Sequence, residues 1–205
     1  GDGEFEGLEE WQVSRLFAFE GPDEVGKTAI SRGVERALRN SGVRCERLSF
    51  PGHEPGSLGA LVRDLHHNLV PAVESVHPTA LQLMHVAAHI DAIERRVLPL
   101  LIDSTTVLLD RFWWSTYVYA HKSGVPASQI RTMLDVETAS WGDIVPKIVF
   151  LVQRDSPSVD RTLVKTYETL AAAEHRSTVL YLDNNRDILL SVQDAVEAIC
   201  DAQPK

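Results

Sequence analysis

Residues 14 to 28 read Ser-Arg-Leu-Phe-Ala-Phe-Glu-Gly-Pro-Asp-Glu-Val-Gly-Lys-Thr, a short apolar strand running into Gly21-x-x-x-x-Gly26-Lys27-Thr28 and then into a helical pattern. Few local patterns restrict a fold so tightly. A strand that stops, turns through glycines and restarts at once as a helix is the layout of a phosphate-binding P-loop. The glycines let successive backbone N–H groups converge on phosphate oxygens, Lys27 reaches the terminal phosphates, and the Thr28 hydroxyl faces Mg²⁺. The positive end of the following helix adds to the attraction. Gly21, Glu24, Val25, Gly26, Lys27, Thr28 and Ala29 are therefore expected to line the phosphates of a bound nucleotide.

The rest of the chain supplies a fold around that loop. Five apolar runs, Leu16 to Glu20, Arg44 to Phe50, Thr106 to Asp110, Lys147 to Val152 and Thr178 to Leu182, alternate with helical patterns. Strands buried on both faces read as such near-continuous apolar runs, so the alternation predicts an α/β fold, a parallel sheet with helices on both sides. Helices are expected over Thr28 to Asn40, Ser57 to Val70, Thr79 to Ile102, Ser128 to Ser140, Ser158 to His175 and Ser191 to Ala202. Pro99 should kink the last turn of the third or end it early. With 205 residues, 44% hydrophobic and 24% charged, the chain has material for one domain with a sizeable core. That domain is expected over residues 14–205, behind a loose acidic leader over 1–13.

Charge and cysteines narrow the partners. A formal charge of −9 argues against a surface built to hold a nucleic-acid backbone and leaves small-molecule partners. Cys45 and Cys200 are far apart and outside paired-ligand spacing, which argues against a disulfide framework or zinc site and for a reducing, cytoplasmic setting. The sequence holds no 18-residue apolar run and no basic-then-apolar leader, so neither membrane spanning nor secretion is expected.

A second anchor lies at Val107-Leu108-Leu109-Asp110-Arg111-Phe112, where a buried strand ends with an acid beside a base. A carboxylate at a strand end can orient Mg²⁺ or its water, and an adjacent Arg can bridge donor and acceptor phosphates. Taken alone, the run also fits an ion pair capping a strand. Pro51-Gly52-His53-Glu54-Pro55-Gly56 is too rich in turn formers to be other than a loop. It follows a strand, and open α/β sheets place their ligands at carboxyl ends of strands.

Over about residues 14 to 202 the chain resembles the thymidylate kinase family of P-loop nucleoside monophosphate kinases. Phe19-Glu20-Gly21-Pro22-Asp23-x-x-Gly26-Lys27-Thr28 is similar to the family P-loop, and Asp110-Arg111-Phe112-x-x-Ser115-x-x-x-Tyr119 to its Asp-Arg-Tyr-x-x-Ser-x-x-x-Tyr segment. Glu54-Pro55-Gly56 matches an Arg-Glu-Pro-Gly loop, Ala87-Ala88 with Pro99 the long helix beneath the acceptor base, and Thr166-Tyr167-x-x-Leu170 the helix after the lid. The resemblance implies a three-layer α/β/α fold on a five-stranded parallel sheet in the order 2-3-1-4-5. It implies ATP and Mg²⁺ as cofactors, phosphoryl transfer to a pyrimidine nucleotide, and a homodimer. It assigns catalytic roles to Lys27 on the β- and γ-phosphates, Arg111 on the acceptor phosphate or moving phosphoryl group, Asp110 on the metal with Thr28, and Asp23 on the acceptor sugar. Phe50, Ser115 and Tyr119 fall in the acceptor pocket. Arg186, in Asp183-Asn184-Asn185-Arg186 after the last strand, falls where related kinases pack adenine.

The chain also departs from that pattern. The phosphate-contacting Arg of the Arg-Glu-Pro-Gly loop aligns with His53, the aromatic that stacks on thymine with His85, and the Arg four residues later with His89. Residues at i and i+4 share a helix face, so both histidines should look into the acceptor pocket. Ala120 stands where the family often has Gln, and Glu24 where some members carry a catalytic Arg. The lid, near residues 153–162, reads as shortened, leaving Arg154, Arg161 and Lys165 as the nearby candidates to compensate. Phe50, Trp113, Trp114, Tyr117 and Tyr119 could supply a replacement stacking surface or pack in the core. Three functions fit these changes: a kinase for a pyrimidine nucleotide such as a modified deoxyuridylate, a kinase for a pyrimidine nucleoside or a hydroxymethyl-pyrimidine in DNA, and a non-catalytic nucleotide-binding module.

Overall fold

Strands β1 (Leu16–Glu20), β2 (Cys45–Ser49), β3 (Thr106–Asp110), β4 (Ile148–Gln153) and β5 (Thr178–Asp183) form one sheet in a computed structural model that describes residues 15–67, 69–73 and 75–202. The leader expected over 1–13 lies outside the described residues. The sheet order is β2-β3-β1-β4-β5, with every neighbouring pair parallel, as the sequence led us to expect. β1 and β3 are buried along their whole length, which is why they read as unbroken apolar runs, whereas β5 lies at an edge and is largely exposed.

Helices α1 (Lys27–Asn40), α2 (Leu58–His66), α3 (Pro78–Ala92), α4 (Leu98–Ile102), α5 (Trp113–Lys122), α6 (Ala127–Trp141), α7 (Arg161–Ala173) and α8 (Ile188–Ala202) cover the two faces. The strand period of two sorts β1 between them. Phe17 and Phe19 join Ile30, Val34 and Phe150 in the layer beneath α1 and α8, while Leu16 and Ala18 join Leu109, Trp114 and Tyr167 in the opposite layer.

The helix expected over Thr79 to Ile102 is present but not uniform. A π-helical turn at Ile93–Val97 separates α3 from α4, and Pro99 sits in the first turn of α4. Proline has no N–H to return to the preceding turn, and a widened turn there accommodates the loss without breaking the axis. α2 stops at His66, short of the expected Val70, and α7 begins at Arg161, after Asp160 accepts the Thr162 N–H as its N-cap.

The sequence pattern does not announce α5. Trp-Trp-Ser-Thr-Tyr-Val-Tyr is rich in aromatic and β-branched residues of low helix propensity. Burial of Trp114, Val118 and Ala120 overrides that preference. The start of α5 has no side-chain cap of its own; Glu20, at the end of β1, supplies one. Glu20 is fully buried and accepts the N–H groups of Phe112 at 2.7 Å and Ser115 at 3.1 Å, and the Ser115 hydroxyl at 2.7 Å. The Ser115 hydroxyl also lies 3.0 Å from that of Tyr167 on α7. Burial lifts the Glu20 carboxyl to about 7, against the pull of Ser115, Arg111 and Lys27.

Two outcomes follow from this packing. Glu20 holds its proton more tightly in the fold than in the unfolded chain, so its contribution to stability is complete below about pH 4.5 and is lost as pH rises through about 7. Glu20→Gln should therefore gain stability over the parent protein as pH is raised from 5 to 8 in denaturant titrations; a margin independent of pH would show that the carboxyl titrates normally. Trp114→Ala, which empties a fully buried site, should cost about 3–5 kcal/mol by the same measurement.

Candidate nucleotide site

The P-loop between β1 and α1 is shaped by close approaches that only glycine allows. Gly21 has φ +136° and a Cβ there would stand 2.6 Å from the Val152 carbonyl oxygen; Gly26 has φ +98° and a Cβ would stand 2.4 Å from Asn184 Nδ2. That amide nitrogen donates to the Val25 carbonyl at 2.7 Å, fastening the loop to the segment after β5. Glu24, expected to line the phosphates, is exposed and takes a left-handed φ of +66°, a strained conformation for a non-glycine residue. Val25 is buried and Ala29 lies in the exposed first turn of α1. The Lys27 ammonium is 5% exposed and donates to the Pro22 carbonyl. Burial, with Arg111 nearby, lowers Lys27 to about 8, against the attraction of Asp23, Asp110 and Glu20.

The β1–β3 register pairs Phe19 with Asp110, so the second anchor emerges beside the P-loop. Thr28 Oγ1 donates to Asp110 Oδ2 at 2.6 Å, and Arg47 on β2 reaches the same oxygen at 3.4 Å while donating to Ser49 Oγ at 3.0 Å. Arg111 follows with φ +86°, its N–H held by the Phe19 carbonyl at 3.0 Å. Its guanidinium is paired with Asp23, donates to Ser115 Oγ at 3.1 Å and lies 5.3 Å from the centre of the Tyr119 ring. The Tyr119 hydroxyl donates to the other oxygen of Asp23 at 2.6 Å. Partial burial disfavours ionisation of Asp23, but Arg111, Tyr119 and Lys27 outweigh it and hold the carboxyl below the usual range. Asp23, expected to face a sugar, is thus bonded to both Arg111 and Tyr119.

A cavity of about 420 Å³ opens from this cluster. Asp23, Arg111, Ser115 and Tyr119 form its wall beside the P-loop; Phe50 and His53 come from the loop after β2; Gln82, His85 and His89 come from α3. Both histidines therefore face it, as their spacing predicted. Their surroundings differ. His89 is buried, stacked on Phe50 with ring centres 4.4 Å apart, and bonded through Nδ1 to Glu137 Oε1 at 2.7 Å. Burial, then the neighbouring His89, His66 and Arg111, pushes His85 down to about 3, so it is neutral; its Nε2 lies 3.4 Å from His66 Nδ1. His53 sits at the exposed rim.

Of the aromatics that could have formed a stacking surface, Phe50 and Tyr119 reach this cavity. Trp114 belongs to the core, and Trp113 and Tyr117 line a separate recess beside α6. Ala120 is packed among Val86, Ile130 and Met133. Arg154 and Arg186 do not join the cluster. They lie on the other side of the P-loop, in segments after β4 and β5 that meet where the Asp155 N–H donates to Asn185 Oδ1 at 2.6 Å. Arg154 is exposed, Arg186 is paired with Asp194, and Arg161 with Asp155.

Sequence reasoning passed over Glu20, Arg47, Gln82, Glu137 and Asn184. Glu20, Gln82, Glu137 and Asn184 are polar residues at buried positions, where an apolar residue is the rule; in the sequence only Glu20 and Gln82 stand among apolar neighbours.

Comparison with known proteins agrees with this geometry. The thymidylate kinase family model matches residues 19–187. The chain is 29% identical to a thymidylate kinase of Chlorobium chlorochromatii over 136 residues, 66% of this chain and 58% of that one. It is 31% identical to a thymidylate kinase of Chlamydia trachomatis serovar L2 over 148 residues, 71% of this chain and 68% of that one. The match to the first of these thus spans less than two thirds of its length. The crystal structure of a thymidylate kinase from Ehrlichia chaffeensis shares the fold, with a TM-score of 0.68 at 22% identity, covering 90% of this chain and 97% of that one. With a P-loop, an Asp-Arg strand end and a family match that reaches from β1 to beyond β5, the chain belongs to the thymidylate kinase family.

Proposed function

We propose that the protein transfers the γ-phosphoryl group of ATP to the phosphate of a pyrimidine deoxynucleotide, thymidylate or a modified deoxyuridylate. The observation that carries this reading is the 2.6 Å contact between Thr28 and Asp110, next in sequence to Arg111, which lines the cavity. It sets a hydroxyl and a carboxylate, the hard oxygen ligands that suit Mg²⁺, where the P-loop begins its helix. Thr28 and Asp110 would hold the ion, directly or through water; when bound it neutralises charge between the β- and γ-phosphates. The glycine cradle at Gly21 and Gly26 suits the close approach of phosphate oxygens to backbone N–H groups. A phosphate beside Lys27 would favour its ammonium form, against the burial that lowers its pKa to about 8.

In the transfer, an oxygen of the acceptor phosphate forms a bond to the γ-phosphorus as the bond to the ADP oxygen breaks. An ionised phosphate needs no general base, so positioning and charge carry the rate. Arg111 is placed to leave Asp23 for the acceptor or the moving phosphoryl group, which frees Asp23 for the sugar. Phe50, His53, His85, His89, Ser115 and Tyr119 would surround the acceptor, and Arg154 and Arg186 the donor. A cavity of about 420 Å³ lies within the range of small-ligand sites. The same reading takes residues 14–205 as one domain with a short lid over 153–162, working in the cytoplasm as a homodimer on small-molecule substrates.

Coupled ADP release, measured over thymidylate, deoxyuridylate, 5-substituted deoxyuridylates, deoxycytidylate and free nucleosides, should show turnover with a pyrimidine monophosphate. Turnover confined to nucleosides would transfer the assignment to nucleoside phosphorylation, for which the loss of acceptor-side arginines at His53 and His89 gives a reason. Absence of turnover with any acceptor would leave a binding module. Lys27→Ala should lower kcat/KM about a hundredfold or more; unchanged activity would disprove the P-loop assignment.

A further inference from the structure

Gln82 lies on α3, is 3% exposed and lines the cavity beside the P-loop. Its amide bonds to no other described residue. Neither polar atom of that amide is among the buried atoms sealed off without a partner, so both open toward the cavity that the side chain lines. Burying an amide with its hydrogen bonds unmade is costly, and the cost is recovered when a ligand presents a complementary edge.

The neighbourhood indicates which edge. Gln82, His85 and His89 follow one another at i, i+3 and i+7 and share the face of α3 that looks into the cavity. His89 is bonded to Glu137 and stacked on the Phe50 ring, and this flat pair lines the same cavity as Gln82. Of the charged groups that line the cavity, Arg111 and Asp23 belong to the wall next to the P-loop, and Arg63, paired with Asp64, comes from α2. A nucleotide whose phosphate is held by Arg111 would carry its ring away from those charges, toward Phe50, His89 and Gln82. An amide offers one donor and one acceptor side by side, which suits planar bidentate recognition of a base edge.

We infer that Gln82 reads the polar ring edge of the acceptor base, its amide oxygen accepting a ring N3–H and its amide nitrogen donating to the adjacent carbonyl. The inference rests on the proposed function in taking a pyrimidine nucleotide as the occupant. It makes Gln82 a specificity-determining residue, selecting rings with a protonated N3 beside a carbonyl and rejecting those with the position blocked.

Gln82→Met keeps the length of the side chain and removes both hydrogen-bonding groups. Thymidylate and N3-methylthymidylate binding should be measured by calorimetry for the parent and this variant, with an ATP analogue as a check on the intact P-loop. Thymidylate should bind the variant about ten- to a hundredfold more weakly, the discrimination against N3-methylthymidylate should collapse, and affinity for the ATP analogue should be unchanged. Equal thymidylate affinity in parent and variant, or retained discrimination against the N3-methyl compound, overturns the inference. A parent that binds thymidylate without transferring phosphate overturns the proposed function and leaves the role of Gln82 upheld. A parent that binds no pyrimidine nucleotide overturns both.

Discussion

The hydrogen bonds that Glu20 accepts join segments 92 and 95 residues apart, and the site depends on them. A carboxylate buried at the end of β1 would be prohibitively unfavourable without partners. Two backbone N–H groups and a serine hydroxyl supply them. In meeting that need, Glu20 fixes where α5 begins relative to the P-loop. Arg111, just before α5, and Tyr119 within it then meet Asp23 from a helix whose first turn is tied to the end of β1. The cost of burying one carboxyl group is thus converted into registration between the two sequence anchors.

The sheet order divides the labour around this point. β1 is flanked by β3 and β2 on one side, whose following segments bring Asp110, Arg111, Phe50 and His53. On its other side are β4 and β5, whose following segments bring Arg154, Asn184 and Arg186. A crevice opens where successive connections of an open α/β sheet leave in opposite directions, and the P-loop occupies that crevice. Phosphates of two ligands can therefore meet over the loop while their remaining parts lie on opposite sides of it. The cluster of Asp23, Arg111 and Tyr119 is internally satisfied, so an incoming anion competes with a carboxylate already in place. Such competition favours ligands whose charge is matched to Arg111 over those that merely fit.

The architecture was legible in the sequence because buried parallel strands leave continuous apolar runs and the P-loop fixes the position of the first of them. Thr28 and Asp110 were each marked by a motif at the start or end of an element, and their side chains lie 2.6 Å apart. α5 was illegible because its residues disfavour a helix in isolation and become one through burial of Trp114 and Val118. Glu20 and Gln82 were visible only as polar residues beside apolar neighbours, and Glu137 and Asn184 lie in polar stretches that carry no such mark. The partners of Glu20, Glu137 and Asn184 lie far along the chain: Glu137 is 48 residues from His89, and Asn184 is 159 residues from Val25. Nothing local in the sequence encodes such pairings; they arise when helices and strands pack. Helical spacing put His85 and His89 on one face, and both line the cavity, but spacing could not distinguish one bonded to a carboxylate from one set beside another histidine.

Asn184 fills the space that any side chain at position 26 would occupy, and its amide holds the Val25 carbonyl. The segment after β5 is also held to the segment after β4 through Asp155 and Asn185. Three stretches of chain that never adjoin in sequence are thereby linked as one mechanical unit. A displacement of either outer segment would be transmitted to the curvature of the phosphate cradle itself. Insertions or replacements near residues 184–186, chosen to alter what lies beyond the last strand, would be felt first by the loop that closes on phosphate.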